Sequence, residues 1–211
     1  MFHGNGTLED EEHNRVYFGE FENGERSGKG REHYANNFSY VGDYRDGKRN
    51  GHGVFSDQDG SEVYCGEYED DLMHGRGRLS MCTRHGGGSY EGDFFHDRFS
   101  GSGTYTYPDG TSVEGQWLDD VPQDGDWTIR YPDGAVFYGF ATFRNPDGDA
   151  DESDAVSRTS SRSRSSSRTG AEVVLSVPLP HGFGSMTFPD GRRQVGSFIH
   201  GRYVDGINTN T

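Results

Sequence analysis

The feature that most constrains this chain is a pair of glycine motifs that recur at a fixed distance from each other. Four segments read tyrosine, any residue, glycine, and they begin at Tyr17, Tyr40, Tyr64 and Tyr90. A Gly-x-Gly pair starts eleven residues after each tyrosine, at Gly28, Gly51, Gly75 and Gly101. These units begin 23, 24 and 26 residues apart, a period typical of proteins in which each repeat packs on its neighbours.

Within a unit, the residues alternate as they do in a β-strand. In segment 40–44 the two tyrosines and Gly42 share one face, and the residues between them take the other. The turn sequence Tyr-Pro-Asp-Gly stands at 107–110 and 131–134. The pattern predicts one hairpin per unit, and therefore an all-β fold: an elongated, single-layer antiparallel sheet of repeated β-hairpins.

Aromatic residues must supply the core of such a sheet. The chain has 14 Phe, 12 Tyr and 2 Trp but only nine Leu and Ile in total. A tyrosine can lie flat over a glycine of the neighbouring strand and cover bare backbone. Because each ring buries ~150–250 Å², we expect these rings to stabilise a sheet that lacks aliphatic side chains.

The repeats divide the chain into three segments. Residues 1–144 contain a half repeat and about six units, of which the last is interrupted. Residues 145–178 are acidic and then rich in Arg and Ser, so we predict a disordered insertion. Residues 179–211 contain the end of the interrupted unit, a final half repeat and a tail.

The units resemble MORN repeats, which read Tyr-x-Gly-x-aromatic-x-x-Gly-x-x-x-Gly-x-Gly. The second unit matches this pattern position by position, at Tyr40, Gly42, Tyr44, Gly47, Gly51 and Gly53. Three later units depart from it at the middle glycine, which is replaced by Asp71, Asp97 and Asp120. In the fifth unit Asp124-Gly125-Asp126 replaces Gly-x-Gly. The resemblance implies a non-enzymatic array that serves protein interaction and oligomerisation.

Two segments resemble one particular group of MORN proteins. Residues 24–30 and 47–53 are most similar to MORN members of axonemal radial spoke heads. This similarity implies a scaffold of a cytoskeletal assembly in the cytoplasm, in a ciliary or flagellar axoneme. The alternative is a peripheral membrane adaptor, which binds acidic phospholipids or links a membrane to the cytoskeleton. The basic residues available for that role are Lys48, Arg49, Arg76, Arg78 and those of the insertion.

The aromatic face of the sheet is the predicted partner-binding site. A single-layer sheet has no second layer to cover the rings, so we expect part of this row to be open. The partner would be a helix or an extended segment, and the exposed end strands could also join copies of the chain. The predicted site residues are Tyr17, Phe21, Tyr40, Tyr44, Tyr64, Tyr68, Tyr90, Phe94 and Trp117.

The opposite face carries an acidic row. The residue after the motif glycine is acidic in four successive units: Glu20, Asp43, Glu67 and Asp93. Such a row is either an ordinary solvated face or, with a net charge of −15, an attraction for a basic partner. The same charge makes a nucleic acid an unexpected partner and disfavours an anionic membrane.

The insertion contains sites for a basophilic kinase. Arg-x-x-Ser ends at Ser161, Ser165 and Ser167, where each phosphate would add about −1.5 to −2 charges. The alternative is a passive, solvated loop.

No motif predicts catalysis, a cofactor or a metal. His85-Gly86-Gly87-Gly88 resembles an oxyanion-hole motif, but the chain has no Gly-x-Ser-x-Gly nucleophile elbow. Gly-x-Gly never extends to Gly-x-Gly-x-x-Gly, and the two cysteines fit no zinc pattern. Four histidines lie beside turn glycines at repeat spacing and not at metal-ligand spacing: His52, His74, His181 and His200. We therefore expect a binding protein without a cofactor.

Overall fold

The computed structural model describes residues 1–81, 87–143 and 179–209. These residues form one antiparallel sheet of sixteen strands, and no helix occurs among them. The strands follow each other in the sheet in chain order, with a short eleventh strand that pairs only with the tenth. The predicted all-β array of hairpins is confirmed.

Fifteen of the sixteen strands are six to nine residues long, and the eleventh has two residues. They are β1 (Gly4–Asp10), β2 (Arg15–Glu22), β3 (Glu25–His33), β4 (Ser39–Arg45), β5 (Lys48–Ser56), β6 (Glu62–Glu69), β7 (Leu72–Ser80), β8 (Ser89–Phe95), β9 (Arg98–Thr106), β10 (Ser112–Leu118), β11 (Val121–Pro122), β12 (Gly125–Arg130), β13 (Val136–Thr142), β14 (Leu179–Thr187), β15 (Arg193–Ile199) and β16 (Arg202–Thr209).

Two-residue turns close the hairpins at one end of the strands. Both residues of each turn have positive φ, as at Asn23 (54°) and Gly24 (89°), which a type I′ hairpin requires. In the third unit Asp70 (49°) and Asp71 (72°) form the same turn. Aspartate tolerates this conformation better than most residues, so the departures from the glycine pattern leave the turn unchanged.

Each turn aspartate also joins its hairpin to the preceding unit. The Asp71 N–H donates to the carbonyl of Arg49 (3.0 Å), and Asp71 Oδ1 accepts the N–H of Arg49 (2.9 Å). Asp97 forms the same two bonds with Met73, at 3.0 and 2.7 Å. The replacement of glycine therefore adds a side-chain hydrogen bond between neighbouring hairpins.

The first tyrosine of each unit lies over a pair of glycines, as expected. Gly42 and Gly53 are directly opposite each other on β4 and β5, and the Tyr40 ring covers both. The Tyr40 hydroxyl reaches past them and donates to the carbonyl of Asp43 (3.1 Å). Tyr17, Tyr64 and Tyr90 repeat this bond at 2.8–3.0 Å. Each ring is therefore buried with its hydroxyl hydrogen-bonded.

The fifth and sixth units keep this architecture with other rings. Trp127 covers Gly115 and donates its indole N–H to the carbonyl of Gln123 (2.8 Å). In the sixth unit β13 pairs with β14 although residues 144–178 lie between them in sequence. The predicted disorder of residues 145–178 and the three kinase sites fall outside the described residues.

Candidate functional site: the aromatic face

The nine predicted site residues lie on one face of the sheet and contact each other in a continuous zigzag. Tyr40 packs edge-to-face on Tyr44 of its own unit (5.4 Å between ring centroids) and on Tyr68 of the next (5.2 Å). Tyr64 repeats this arrangement with Tyr68 (5.1 Å) and Phe94 (5.2 Å). Edge-to-face pairs add about 0.5–1.5 kcal/mol each to the energy of burial. The row therefore holds neighbouring units together.

The expectation that part of this row is open is wrong. All nine side chains are at most 9% exposed, and Tyr40 and Tyr90 are 0% exposed. The rings need no second layer of protein because their neighbours in the zigzag, together with the side chains described next, cover them. The predicted residues therefore form the floor of the aromatic face.

A second row, which the sequence interpretation missed, lies above this floor. It occupies the ninth position after the first tyrosine of each unit: Arg26, Arg49, Met73 and Phe99. The Arg49 guanidinium lies over the rings of Tyr40 (5.5 Å) and Tyr68 (4.9 Å), and Phe99 stacks on Tyr90 (3.8 Å). Its only signal in the sequence is the constant spacing, since the residue type changes from basic to apolar along the array.

The N-terminal end of the face is charged. Glu32 is 4% exposed, and its Oε1 lies 2.9 Å from Arg26 and 3.6 Å from Arg15. The hydroxyls of Tyr34 (2.8 Å) and Tyr44 (3.2 Å) donate to its other oxygen. Burial, and secondarily the Glu32 charge, raises the pKa of both tyrosines above the ordinary range. Arg15, Arg26 and Glu32 border a groove of about 260 Å³.

Further along the face, the position of Glu32 becomes apolar. Phe55, Leu79 and Tyr105 hold the same place in the next three units, fifteen residues after the first tyrosine. Phe55 and Leu79 are half-buried and pack against the aromatic core. The accessible layer is therefore charged at one end and apolar in the middle.

The comparison with known families agrees with this geometry. The MORN repeat pattern matches residues 17–38, 40–62, 64–83, 90–112 and 179–192. The chain belongs to the MORN repeat family. MORN repeats suggest a module that interacts with proteins or membranes. No curated protein matches this MORN chain.

The acidic row on the opposite face has a structural role in the MORN hairpin. In these four hairpins the second strand contains two extra residues where its Gly-x-Gly pair begins, which shifts the register after Gly19, Gly42, Gly66 and Gly92. The acidic side chain accepts the N–H of the residue after the first glycine of that pair: Glu20 from Lys29, Asp43 from His52, Glu67 from Arg76 and Asp93 from Ser102, at 2.9–3.0 Å. Sequence reasoning identified the row but not this bond.

Outside the insertion, three of the four basic residues expected of a membrane adaptor are paired with aspartates. Lys48 lies 3.2 Å from Asp70, Arg49 lies 3.3 Å from Asp71, and Arg76 lies 2.8 Å from Asp93. An anionic surface would therefore have to compete with these aspartates for Lys48, Arg49 and Arg76. Within the ranges that the structure describes, no helix combines the length and apolar character needed to cross a membrane.

Proposed function

We propose that this MORN protein is a non-enzymatic scaffold that binds partner proteins on its aromatic face. The observation that carries the proposal is the half-buried apolar layer of Phe55, Met73 and Leu79, which rests on the buried floor of rings. These side chains can lose their remaining exposure to a partner while the floor stays fixed. A preorganised surface of this kind spends little entropy on binding.

The partner that fits this surface is a helix or an extended segment with one apolar side. Its apolar residues would cover the middle of the face, at about 25 cal/mol for each Å² removed from water. Near the N-terminal end, Arg15, Arg26 and Glu32 would meet polar or charged groups of the same segment. Because the face is charged at one end and apolar in the middle, the bound segment would have a single preferred orientation.

We further propose that the partners belong to a cytoskeletal assembly in the cytoplasm, with the radial spoke head of a ciliary or flagellar axoneme as the first candidate. The support is the similarity of residues 24–30 and 47–53 to radial-spoke-head members. A protein partner is favoured over a membrane because the chain carries a net charge of −15 and because Lys48, Arg49 and Arg76 are paired with aspartates.

The test is a pull-down of the tagged full chain from its native cells at physiological salt, followed by mass spectrometry. We expect cytoskeletal or axonemal proteins in stoichiometric amounts. The triple variant Phe55→Ala, Met73→Ala, Leu79→Ala should lose them, whereas Val41→Ala with Val54→Ala, on the opposite face, should retain them. Recovery of only membrane proteins and lipid, together with binding to anionic vesicles, would make the membrane adaptor the better account.

A further inference from the structure

Three side chains from two neighbouring units meet at the end of the strands where the two-residue turns lie. Glu69 ends β6, His74 lies in the following strand β7, and His96 begins the turn between β8 and β9. One ligand atom from each of the three lies within 4.8 Å of the other two. We propose that Glu69, His74 and His96 form a binding site for a divalent transition metal, with Zn²⁺ as the first candidate.

The distances are close to those of a metal site. Zn²⁺ binds histidine nitrogen at about 2.0–2.1 Å and carboxylate oxygen at about 2.0–2.2 Å in a tetrahedron, which sets the ligand atoms about 3.3–3.5 Å apart. His74 Nδ1 already lies 3.3 Å from Glu69 Oε2. The ligand atom of His96 lies within 4.8 Å of the other two, so it needs to approach by at most about 1.5 Å, which rotation of an exposed side chain can supply.

The surroundings of His74 leave one of its nitrogens in need of a partner. His74 Nδ1 is inaccessible to water and, despite its 3.3 Å distance from the Glu69 carboxylate, makes no hydrogen bond of acceptable geometry. Phe95 packs against both histidine rings, at 5.4 Å from His74 and 4.1 Å from His96. A metal ion would satisfy the nitrogen, and Phe95 would limit water on one side of the site.

The last repeat contains the same histidine pair without the carboxylate. His181 and His200 occupy the motif positions of His74 and His96, and their ring centroids lie 5.4 Å apart compared with 5.7 Å. The position of Glu69, five residues after the first ring of the unit, is Thr142 in that repeat. The chain therefore contains one cluster with three potential ligands and one with only two. The His181–His200 pair serves as an internal control for the proposed site.

The donor set selects the ion. Imidazole suits Zn²⁺, Cu²⁺ and Ni²⁺, whereas Mg²⁺ and Ca²⁺ prefer sites made of oxygen. Glu69 and His74 belong to one hairpin and His96 to the next, so the bound ion would fasten two adjacent repeats. Three protein ligands leave the fourth position of a tetrahedral ion for water or for a group from another molecule.

The experiment is titration of the purified full chain with Zn²⁺ by calorimetry, with Co²⁺ absorption as a second readout of tetrahedral coordination. We expect one Zn²⁺ site with a higher affinity than any other site on the chain, and we expect no binding of Mg²⁺ to it. His96→Ala and Glu69→Gln should each weaken that site at least about 10-fold. The double variant His181→Ala, His200→Ala should leave its affinity unchanged.

The folded state of each variant is checked by its thermal transition without metal. Glu69→Gln should leave this transition near that of the natural protein, and His96→Ala should lower it slightly, because His96 has a positive φ (48°) that alanine tolerates less well. Zn²⁺ should raise the transition of the natural protein and of the His181→Ala, His200→Ala variant, but not that of His96→Ala. Equal affinity in the natural protein and in His96→Ala, or loss of the site only in the His181→Ala, His200→Ala variant, would overturn the proposal.

Discussion

At the scale of single residues, the ring over Gly53 explains why a side chain is excluded there. A Cβ at this position would lie 2.3 Å from the Tyr40 hydroxyl oxygen and 2.4 Å from two ring carbons. The ring cannot retreat, because it packs on Tyr44 and Tyr68 and its hydroxyl is bonded to Asp43. The glycine and the tyrosine therefore depend on each other.

Gly53→Ala should consequently lower the free energy of unfolding by about 1–3 kcal/mol, the cost of overpacking a core. Gly125 offers a matched control, since it also lies in a strand but a Cβ there would meet nothing within 4 Å. Gly125→Ala should change stability by less than about 0.5 kcal/mol. Urea denaturation of both variants measures the difference, and equal losses would contradict the role of the ring.

The buried hydroxyls make the fold sensitive to alkaline pH. Burial, partly offset by Arg26, raises the pKa of Tyr17 to about 12, compared with about 10 for a free tyrosine. The folded state thus holds the proton more tightly than the unfolded state, so this stabilisation is complete below pH 10 and is lost as the pH rises towards 12. Tyr40, Tyr64 and Tyr90 shift in the same direction, again because of burial.

We therefore expect unfolding and ionisation of tyrosine to occur together between about pH 10 and pH 12. The measurement is circular dichroism with the ultraviolet absorbance of tyrosinate in the same samples. Tyr17→Phe should move the transition to higher pH, since one ionisable group leaves the core. Tyrosinate absorbance complete near pH 10 with an intact sheet would show that the rings are accessible.

At the scale of elements, the turn aspartates connect neighbouring hairpins in addition to the strand ladder and the rings. Asp120 repeats the arrangement of Asp71 and Asp97, since its Oδ1 accepts the N–H of Phe99 (2.9 Å). Gly47 occupies the same position in the second unit, where its N–H donates to the carbonyl of Arg26 (2.9 Å). Glycine supplies the turn and the backbone bond, whereas aspartate adds the side-chain bond.

Asp97→Gly should therefore keep the turn but lose the bond to the Met73 N–H, at a cost of about 0.5–1.5 kcal/mol. Asp97→Asn is the matched control, because its amide oxygen can accept the same bond and asparagine also tolerates positive φ. Hydrogen exchange of the Met73 amide should accelerate in Asp97→Gly and stay near its original rate in Asp97→Asn. Unchanged exchange in both variants would show that the bond contributes nothing.

The elements also show what the sequence can predict and what it cannot. The hairpins and the tyrosine-over-glycine contact could be predicted because both follow from period-two alternation within one unit. The burial of Tyr44 and Phe94 could not, because it depends on how far each ring reaches into the next unit. The approach of His96 to His74 was missed for the same reason: the two histidines are 22 residues apart, at different positions of two successive units, and their contact depends on how those units pack.

At the scale of the whole molecule, the sheet has two open edges. β1 and β16 each pair with one neighbour, and β16 exposes Val204 (56%) and Ile207 (67%). Exposed apolar edge strands favour pairing with another chain. The predicted association of copies through the end strands therefore has a specific place to occur at the C-terminal edge.

Ile207→Lys should weaken this association, since charge on an edge strand opposes pairing. Tyr138→Lys is the control: Tyr138 is 60% exposed and lies in the same cross-strand row through Ser185 and Val195, but within the sheet. Sedimentation over a range of concentrations should show oligomers of the natural protein and of Tyr138→Lys, and monomers of Ile207→Lys. Monomers in all three samples would exclude the end strands as an interface.

The order of the strands has a consequence for how the chain folds. Along the sheet, each strand hydrogen-bonds only to strands next or next but one to it in strand order, and a long insertion separates the partners only between β13 and β14. Contact order is therefore low for an all-β protein, in which distant pairings usually slow folding. A hairpin can form as soon as its two strands leave the ribosome and then act as the template for the next one. Synthesis from the N-terminus would thus build the sheet in the order in which it is read.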